Sequence, residues 1–152
     1  MIFEPIPATD PEFVRLLESA DLPVDDLGGE HQAFWAGRNG TGELVIVAGL
    51  ERCGNDGLLR SVAVRGDMRG QGLGGVIVAF VLERAFSNGV GVIFLLTATD
   101  AATAFFSAHG FTPVDRSSVP EQVAASAQFS EICPDSATAM SLSREDFALT
   151  GR

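Results

Sequence analysis

The feature that most constrains this chain is a glycine-rich turn between an apolar strand and a long apolar helix. The strand ends in Val62-Ala63-Val64, and Arg69-Gly70-Gln71-Gly72-Leu73-Gly74-Gly75 opens a helix that we expect to continue to about Ser87. Glycines at such a junction let the backbone approach a ligand closely. The helix N-terminus adds unpaired N–H groups and a positive dipole end, which attract an anion. The turn therefore predicts a site for a ligand that carries a pyrophosphate.

A dinucleotide site is one interpretation of this turn. Gly70, Gly72 and Gly75 satisfy the G-x-G-x-x-G fingerprint. That fingerprint should open a repeated βαβ sheet, with an acidic residue after the next strand, a role that Asp100 fits loosely. Hairpin signals precede the turn, and too little chain follows it for a dinucleotide domain. An oxidoreductase fragment that binds NAD is thus the weaker alternative.

The rest of the pattern predicts one α+β domain over residues 1–152. An edge strand within residues 1–7 and a helix capped by Asp10 and ending near Ala20 come first. Asp100 is predicted to cap a short helix that ends at His109-Gly110, and a helix-like stretch lies near Pro120–Gln128. Six further strands are predicted at His31–Gly37, Leu44–Leu50, Leu58–Arg65, Val90–Thr97, Phe111–Asp115 and Ala137–Leu142.

Charge and composition exclude several classes of partner. The formal net charge is −10, and the sequence contains no lysine. Such an acidic surface would repel nucleic acid and anionic lipid, so we expect neither as a partner. No apolar run reaches the length of a membrane span and no signal peptide is visible, which predicts a cytoplasmic protein. Cys53 and Cys133 show no metal-ligand spacing, so we expect reduced thiols and no metal.

The turn also matches the pattern Arg/Gln-x-x-Gly-x-Gly/Ala, through Arg69-Gly70-Gln71-Gly72-Leu73-Gly74. With the strand Leu59–Val64 and the segment Ala102-x-x-Phe105-Phe106-x-x-x-Gly110-Phe111, the sequence resembles the GNAT superfamily of N-acetyltransferases. The resemblance implies a mixed, mostly antiparallel sheet of about seven strands flanked by helices, with a central parallel pair splayed around the acyl-CoA site. It implies acetyl-CoA as co-substrate, bound through Val62, Ala63, Val64, Arg69, Gly70, Gln71, Gly72, Leu73, Gly74, Thr99 and Phe106.

The sequence departs from the family at two positions. Phe106 stands where the family often has a tyrosine that acts as general acid, and Thr99 stands where it often has an asparagine. Because the chain has no tyrosine at all, the CoA thiolate must be protonated by water or another group, or leave unprotonated. Phe106 then packs beside CoA. These departures also leave open a non-catalytic acyl-CoA-binding or sensor module.

A narrower resemblance concerns the acceptor. Leu58–Val64, Val114-Asp115-Arg116 and Ser130–Pro134 look like the arsenic-resistance N-acetyltransferases close to N-acetylglutamate synthases. This resemblance implies that the acceptor is a small anionic glutamate mimic, such as arsinothricin or phosphinothricin, acetylated on its primary amine. Another class of amine remains an alternative. Similar proteins are commonly dimers, so a homodimer is a further expectation.

Candidate catalytic and acceptor residues cluster on the fourth predicted strand. Arg60, if it faces the site, would bind the acid group of the acceptor bidentately; a solvent-exposed strand position is the equal alternative. Ser61 could orient a water that accepts the amine proton, and Glu51 is either a base or a surface carboxylate. Arg116 and Cys133 are expected to line the acceptor pocket. Cys133 has no basic neighbour in sequence, which favours direct attack in a ternary complex over an acetyl-cysteine intermediate.

Overall fold

The structure is a computed structural model that describes residues 1–129 and 137–149. Its described residues divide into two compact units. The first comprises Met1–Glu51 and Leu59–Arg84, and the second comprises Arg52–Leu58 and the described residues from Ala85 onward. The prediction of a single domain over residues 1–152 stays a prediction.

The first unit begins with a short strand and a capped helix. Strand β1 (Phe3–Pro5) precedes helix α1 (Pro11–Ser19). The helix begins where predicted, because Asp10 Oδ1 accepts hydrogen bonds from the N–H groups of Glu12 and Phe13 at 2.9 and 3.1 Å. The unit continues with strand β2 (Gln32–Arg38), strand β3 (Leu44–Cys53), strand β4 (Asp56–Val64) and helix α2 (Leu73–Ser87), the last three of which are shared in part with the second unit.

The core of the first unit lies between α1 and the sheet. Apolar side chains at helical spacing on α1 meet apolar side chains of β2, β3 and β4, as an amphipathic helix on a sheet requires. The rings of Phe13 and Phe34 lie 4.9 Å apart. The buried members of this core are Ile6, Phe13, Leu16, Leu17, Phe34, Ala36, Leu44, Val47 and Ala63.

The second unit surrounds the apolar strand β5 (Val92–Thr97). The described residues then form helix α3 (Asp100–Ala108), strand β6 (Thr112–Val114), helix α4 (Glu121–Ala124), strand β7 (Thr138–Ser143) and helix α5 (Arg144–Leu149). Strand β7 pairs with both β5 and β6 in antiparallel register. The buried side chains of one core cluster in this unit are Cys53, Leu58, Phe94, Val119, Val123, Phe129 and Ala139.

The strand neighbours follow the order β1-β2-β3-β4-β5-β7-β6. Strand β4 contributes Leu59–Val64 to the first unit and Asp56–Leu58 to the second. In the second unit, β4 and β5 run parallel, with Gly57 opposite Ile93 and Leu58 opposite Phe94. The α+β class and the mixed, mostly antiparallel seven-stranded sheet with one parallel pair and flanking helices are confirmed.

Several predicted boundaries need correction. Thr99, not Asp100, is the N-cap of α3, because its hydroxyl accepts the hydrogen bond from Ala102 N at 3.1 Å. The predicted end of that helix is confirmed by Gly110, which adopts a φ of 98° after the C-cap residue. Helix α4 covers only part of the predicted stretch, and α5 was not predicted. No helix within residues 1–129 and 137–149 is both long and apolar enough to span a bilayer.

Candidate functional site

The glycine-rich turn lies in the first unit, at the start of α2, and the space beside it is open. Gly70 and Gly72 have φ values of 81° and 79°, in the left-handed region that favours glycine. A methyl group added at either position would meet no atom within 4 Å, so the space beside the turn is open. In α2, Val76 N donates to the Gly72 carbonyl, four residues earlier, at 3.3 Å. The N–H groups that precede Val76 in the first turn have no carbonyl of the same helix four residues before them.

Arginine side chains hold the segment that leads into the turn. Arg69 Nε donates to the carbonyl of Val64 at 3.1 Å, which ties the turn back to the end of β4. Arg65 donates two hydrogen bonds to Asp67, at 2.6 and 2.9 Å, and the Met68 N–H donates to the Arg65 carbonyl at 2.8 Å. The charge of Arg65 is balanced by Asp67 and by Glu43, whose Oε2 lies 3.6 Å from Arg65 Nη1. The attraction of the turn for an anion therefore comes from the N–H groups and the positive dipole end at the N-terminus of α2.

Ser61 interrupts the regular backbone of β4. It has a φ of 57°, and its side chain is buried. A serine in the left-handed region within a strand is strained by roughly 1 kcal/mol, and such outliers cluster at functional sites. The strained residue lies on β4 directly before Val62, Ala63 and Val64, the residues predicted to bind the pantetheine arm.

Arg60 precedes Ser61 and is buried, with a fully covered side chain. The alternative that Arg60 is solvent-exposed is therefore wrong. Its guanidinium donates to both carboxylate oxygens of Asp26, at 2.5 and 2.7 Å, and to Glu51 Oε1 at 3.1 Å. Arg60 Nε also lies 3.3 Å from the hydroxyl of Ser61, and its Cζ lies 5.8 Å from the centroid of the Phe34 ring. Arg60 is thus bound by two carboxylates on the same face of the sheet as the core under α1.

Gln32 completes this group, which we call the Arg60 cluster: Asp26, Gln32, Glu51 and Arg60. Gln32 Nε2 donates to Glu51 Oε1 at 3.3 Å and to the backbone carbonyl of Asp26 at 3.0 Å. Gln32 Oε1 accepts from the Gly28 N–H at 3.0 Å. The cluster therefore ties loop 20–31, between α1 and β2, to strands β3 and β4.

The electrostatics of the cluster are dominated by its two carboxylates. Burial alone would lower the pKa of Arg60, but the hydrogen bonds and negative charge of Asp26 and Glu51 raise it above its ordinary value. Arg60 therefore remains charged at any physiological pH. Glu51 is not the surface carboxylate that one interpretation suggested, since its side chain is only 16% exposed. With one cation and two carboxylates, the cluster has a net negative charge.

Thr99 and Phe106, both predicted to contact CoA, belong to the second unit. The hydroxyl of Thr99 accepts the capping hydrogen bond of α3, while its backbone carbonyl accepts from the Thr103 hydroxyl at 3.1 Å. Phe106 is half-buried and makes edge-to-face contacts with Phe105 and Phe111, with centroids 4.9 and 5.7 Å apart. These contacts fix the orientation of Phe106, and its role beside CoA stays a prediction.

Arg116 binds backbone carbonyls on both sides of residues 130–136. Its guanidinium donates to Phe129 O at 2.9 Å and to Ala137 O at 3.5 Å, and it lies over the Phe129 ring at 5.5 Å. Arg116 therefore positions backbone next to the segment that contains Cys133. Cys133 itself lies outside the described residues. Within the part of the chain that the structure describes, no group of three or more His, Cys, Asp or Glu side chains could hold a metal ion.

Sequence reasoning missed the partners of Arg60. The sequence pattern assigned no role to Asp26 or Gln32. The available signal was the arginine itself: an arginine in a central strand between apolar residues needs buried counter-charges, because an unpaired buried cation is very costly. The sequence could predict that need, but not which of the twenty acidic residues meets it.

Comparison with known proteins identifies a family and several solved structures with a similar fold. Residues 4–111 match the acetyltransferase (GNAT) family. A Klebsiella pneumoniae protein described as an acyl-CoA N-acyltransferase has a TM-score of 0.75 and 22% identity, over 93% of this chain and 96% of that one. Rv2747 from Mycobacterium tuberculosis, in complex with CoA, has a TM-score of 0.71 and 23% identity, over 94% and 99%. Comparison with curated protein sequences gives no match.

A third similar structure is larger. N-acetylglutamate synthase from Neisseria gonorrhoeae, complexed with coenzyme A and N-acetyl-glutamate, has a TM-score of 0.71 and 16% identity; the similarity covers 94% of this chain and 35% of that one. At these identities the structures establish the fold. Since the family match extends over most of the sequence, this chain belongs to the acetyltransferase (GNAT) family.

Proposed function

We propose that the protein transfers an acetyl group from acetyl-CoA to the primary amine of a small, anionic, amino-acid-like acceptor. The binding of acetyl-CoA in this proposal is supported by the open turn at the start of α2, in which Gly70 and Gly72 adopt left-handed φ values. The N–H groups of Gln71, Gly72, Leu73 and Gly74 bind the pyrophosphate, with Arg69 and Gly70 at the entry to the turn.

In this proposal the pantetheine arm runs along β4. Val62, Ala63 and Val64 supply backbone groups to its amides, and an N–H in this stretch binds the oxyanion that forms on the thioester carbonyl. The left-handed φ of Ser61 supports this assignment, because strained residues of this kind cluster at functional sites and this one lies next to Val62. Thr99 and Phe106, at the start and in the middle of α3, are further proposed contacts of the cofactor.

The reaction proceeds by direct attack in a ternary complex. The neutral amine attacks the thioester carbonyl, a tetrahedral intermediate forms, and the C–S bond breaks to release the CoA thiolate. Ser61 orients the water that accepts the amine proton, and water returns a proton to the thiolate, because the chain has no tyrosine for that role. A CoA thiolate is a tolerable leaving group near neutral pH, so the reaction does not require a strong general acid.

Arg60 gives the acceptor its chemical class. A buried guanidinium beside the strained part of β4 binds a carboxylate, phosphinate or arsinate group bidentately. The acceptor is then a glutamate mimic such as arsinothricin or phosphinothricin, and the protein contributes to arsenic resistance. Arg116 and Cys133 are further residues that we propose for binding of the acceptor. An anionic acceptor must first displace Asp26, which holds the bidentate face of Arg60.

A second acceptor class follows from that same contact. If Asp26 and Glu51 remain on Arg60, the cluster is net negative and attracts a cationic amine, such as an aminoglycoside. A non-catalytic acyl-CoA sensor is the remaining alternative, supported by the missing tyrosine. A cytoplasmic location and a homodimer are further parts of the proposal.

The test is thiol release from acetyl-CoA with a panel of acceptors: glutamate, phosphinothricin, arsinothricin, an aminoglycoside, a lysine peptide and no acceptor. Release that is selective for the glutamate mimics supports the proposal. Release that is selective for the aminoglycoside supports the second acceptor class. If CoA raises the melting temperature but no acceptor reacts, the protein is a sensor or uses an amine outside the panel, and the glutamate-mimic proposal is wrong.

A further inference from the structure

Asp26 binds Arg60 in the geometry that a free carboxylate would use. Both of its oxygens accept from the guanidinium, at 2.5 and 2.7 Å, which is the fork-to-fork arrangement of strong Arg–carboxylate pairs. The Asp26 side chain is 11% exposed, whereas that of Arg60 is fully covered. Asp26 therefore stands between solvent and the buried cation.

The two carboxylates of the Arg60 cluster differ in how firmly the fold holds them. Glu51 belongs to strand β3, whose backbone is fixed by pairing with β2. Asp26 belongs to loop 20–31, whose ties to the sheet include the hydrogen bonds of Gln32 to Gly28 N and to Asp26 O. Loops open at lower free-energy cost than paired strands. Val24 and Leu27, on either side of Asp26, pack against the core of the first unit, so the movement required is that of the Asp26 side chain and its local backbone. Asp26 is thus the more easily displaced of the two partners of Arg60.

Exchange of Asp26 for another acid group conserves the charge of the cluster. When Asp26 leaves Arg60, two hydrogen bonds and one negative charge are lost. An incoming carboxylate, phosphinate or arsinate replaces both, so Arg60 keeps a counter-charge throughout. A neutral or cationic group cannot replace it, because Arg60 would then lose an ion pair in a buried site. The exchange therefore selects acid groups by their chemistry.

We propose that Asp26 competes with the acid group of the acceptor for Arg60, so that Asp26 sets the affinity for anionic acceptors and its side chain and local backbone move when one binds. This inference rests on the proposed function and adds a specificity-determining residue to it. Asp26 lowers the affinity for every anionic ligand of Arg60, and only ligands that bind bidentately overcome that competition.

The test compares Asp26→Asn with Asp25→Asn. Both substitutions remove one negative charge from the same loop, but Asp25 is exposed, and only Asp26 binds Arg60. Isothermal titration with glutamate and with phosphinothricin measures affinity without turnover. Because a bidentate competitor is removed, Asp26→Asn should bind both ligands more tightly than Asp25→Asn, on the order of ten-fold. Binding of acetyl-CoA should be equal in the two variants, which also shows that both are folded.

The outcomes separate this inference from the proposed function. If Asp26→Asn binds the anions no more tightly than Asp25→Asn, or if neither variant binds them, competition by Asp26 is ruled out. If Asp26→Asn gains affinity but neither the wild type nor the variant acetylates any acceptor, the inference stands and the proposed reaction fails. If Asp26→Asn gains affinity and the KM for the acetylated anion falls with it while kcat is little changed, both are supported.

Discussion

Arg60 and Asp26 are joined by two hydrogen bonds across 34 residues of sequence, one residue lying on strand β4 and the other in the loop before β2. Replacing Arg60 with Met leaves the carboxylates of Asp26 and Glu51 without their shared counter-charge in a largely covered site. We expect Arg60→Met to lower the free energy of unfolding by roughly 3 kcal/mol, as is typical when one partner of a buried pair is removed. Urea denaturation at pH 7 measures this change.

The matched control is Arg15→Met on the exposed face of α1, which makes the same change in charge and size. It should change stability by less than about 0.5 kcal/mol. Adding Asp26→Asn to Arg60→Met should recover part of the loss, because one buried charge is removed. Equal effects of the two arginine substitutions would mean that the Arg60 cluster does not stabilise the fold.

The second prediction concerns the turn at the start of α2. Gly72→Ala places a side chain at a φ of 79° and into the open space beside the turn. The strain should cost about 1–2 kcal/mol of stability, and the methyl group should weaken CoA binding on the order of ten-fold or more, since it stands where the pyrophosphate approaches the backbone. Titration calorimetry with CoA, combined with thermal melting, measures both effects.

Gly66→Ala serves as the control for that measurement. Gly66 is exposed in the segment before the turn, has no left-handed φ, and a methyl group there meets no atom within 4 Å. It should keep wild-type stability to within about 0.5 kcal/mol and should bind CoA as the wild type does. Unchanged CoA affinity in Gly72→Ala would place the pyrophosphate elsewhere.

Ser61 allows strain and chemistry to be separated. Ser61→Gly and Ser61→Ala both remove the hydroxyl, but only glycine adopts a φ of 57° without strain. We expect the glycine variant to be more stable than the alanine variant by about 1 kcal/mol. If the hydroxyl orients the water that accepts the amine proton, kcat should fall equally in both, on the order of ten-fold or more. A wild-type kcat in Ser61→Gly would leave the hydroxyl without a catalytic role.

The sequence predicted most of the fold because its signals are local. The cap at Asp10 and the glycines before Leu73 each act within a few residues, and both are found where predicted. The Arg60 cluster could not be predicted in the same way. Its members come from a loop and three strands, and their meeting depends on tertiary packing that no local pattern encodes.

The cap of α3 shows the same limit at short range. Thr99 and Asp100 are adjacent and both are good N-cap residues, so composition alone does not decide between them. The end of β5 at Thr97 sets where α3 begins, and Thr99 takes the capping position. The choice of Thr99 rather than Asp100 as the N-cap of α3 thus depends on where β5 ends.

The last prediction concerns how the stability of the fold changes as the pH is lowered. Glu12 Oε2 accepts from the backbone N–H of Leu44 at 2.9 Å, and Oε1 accepts from Arg38 at 3.1 Å. These hydrogen bonds, that of Leu44 first and that of Arg38 second, lower the pKa of Glu12. Because the folded-state pKa is depressed, the stabilisation is fully present above the unfolded-state value, about pH 4.3, and is lost as the pH falls through the folded-state pKa.

Glu12→Gln should therefore be less stable than the wild type at pH 7 and equally stable in strong acid. The difference at pH 7 should stay below about 1 kcal/mol, since the Glu12 side chain is 40% exposed and solvent screens its charge. Glu18→Gln, an exposed position on the same helix, provides the control and should show no such pH-dependent difference. Urea denaturation at a series of pH values measures both variants. If the difference in stability between Glu12→Gln and the wild type persists unchanged below pH 3, the charge of the Glu12 carboxylate is not what stabilises the contact between α1 and β3. Shape and neutral hydrogen bonding would then account for it.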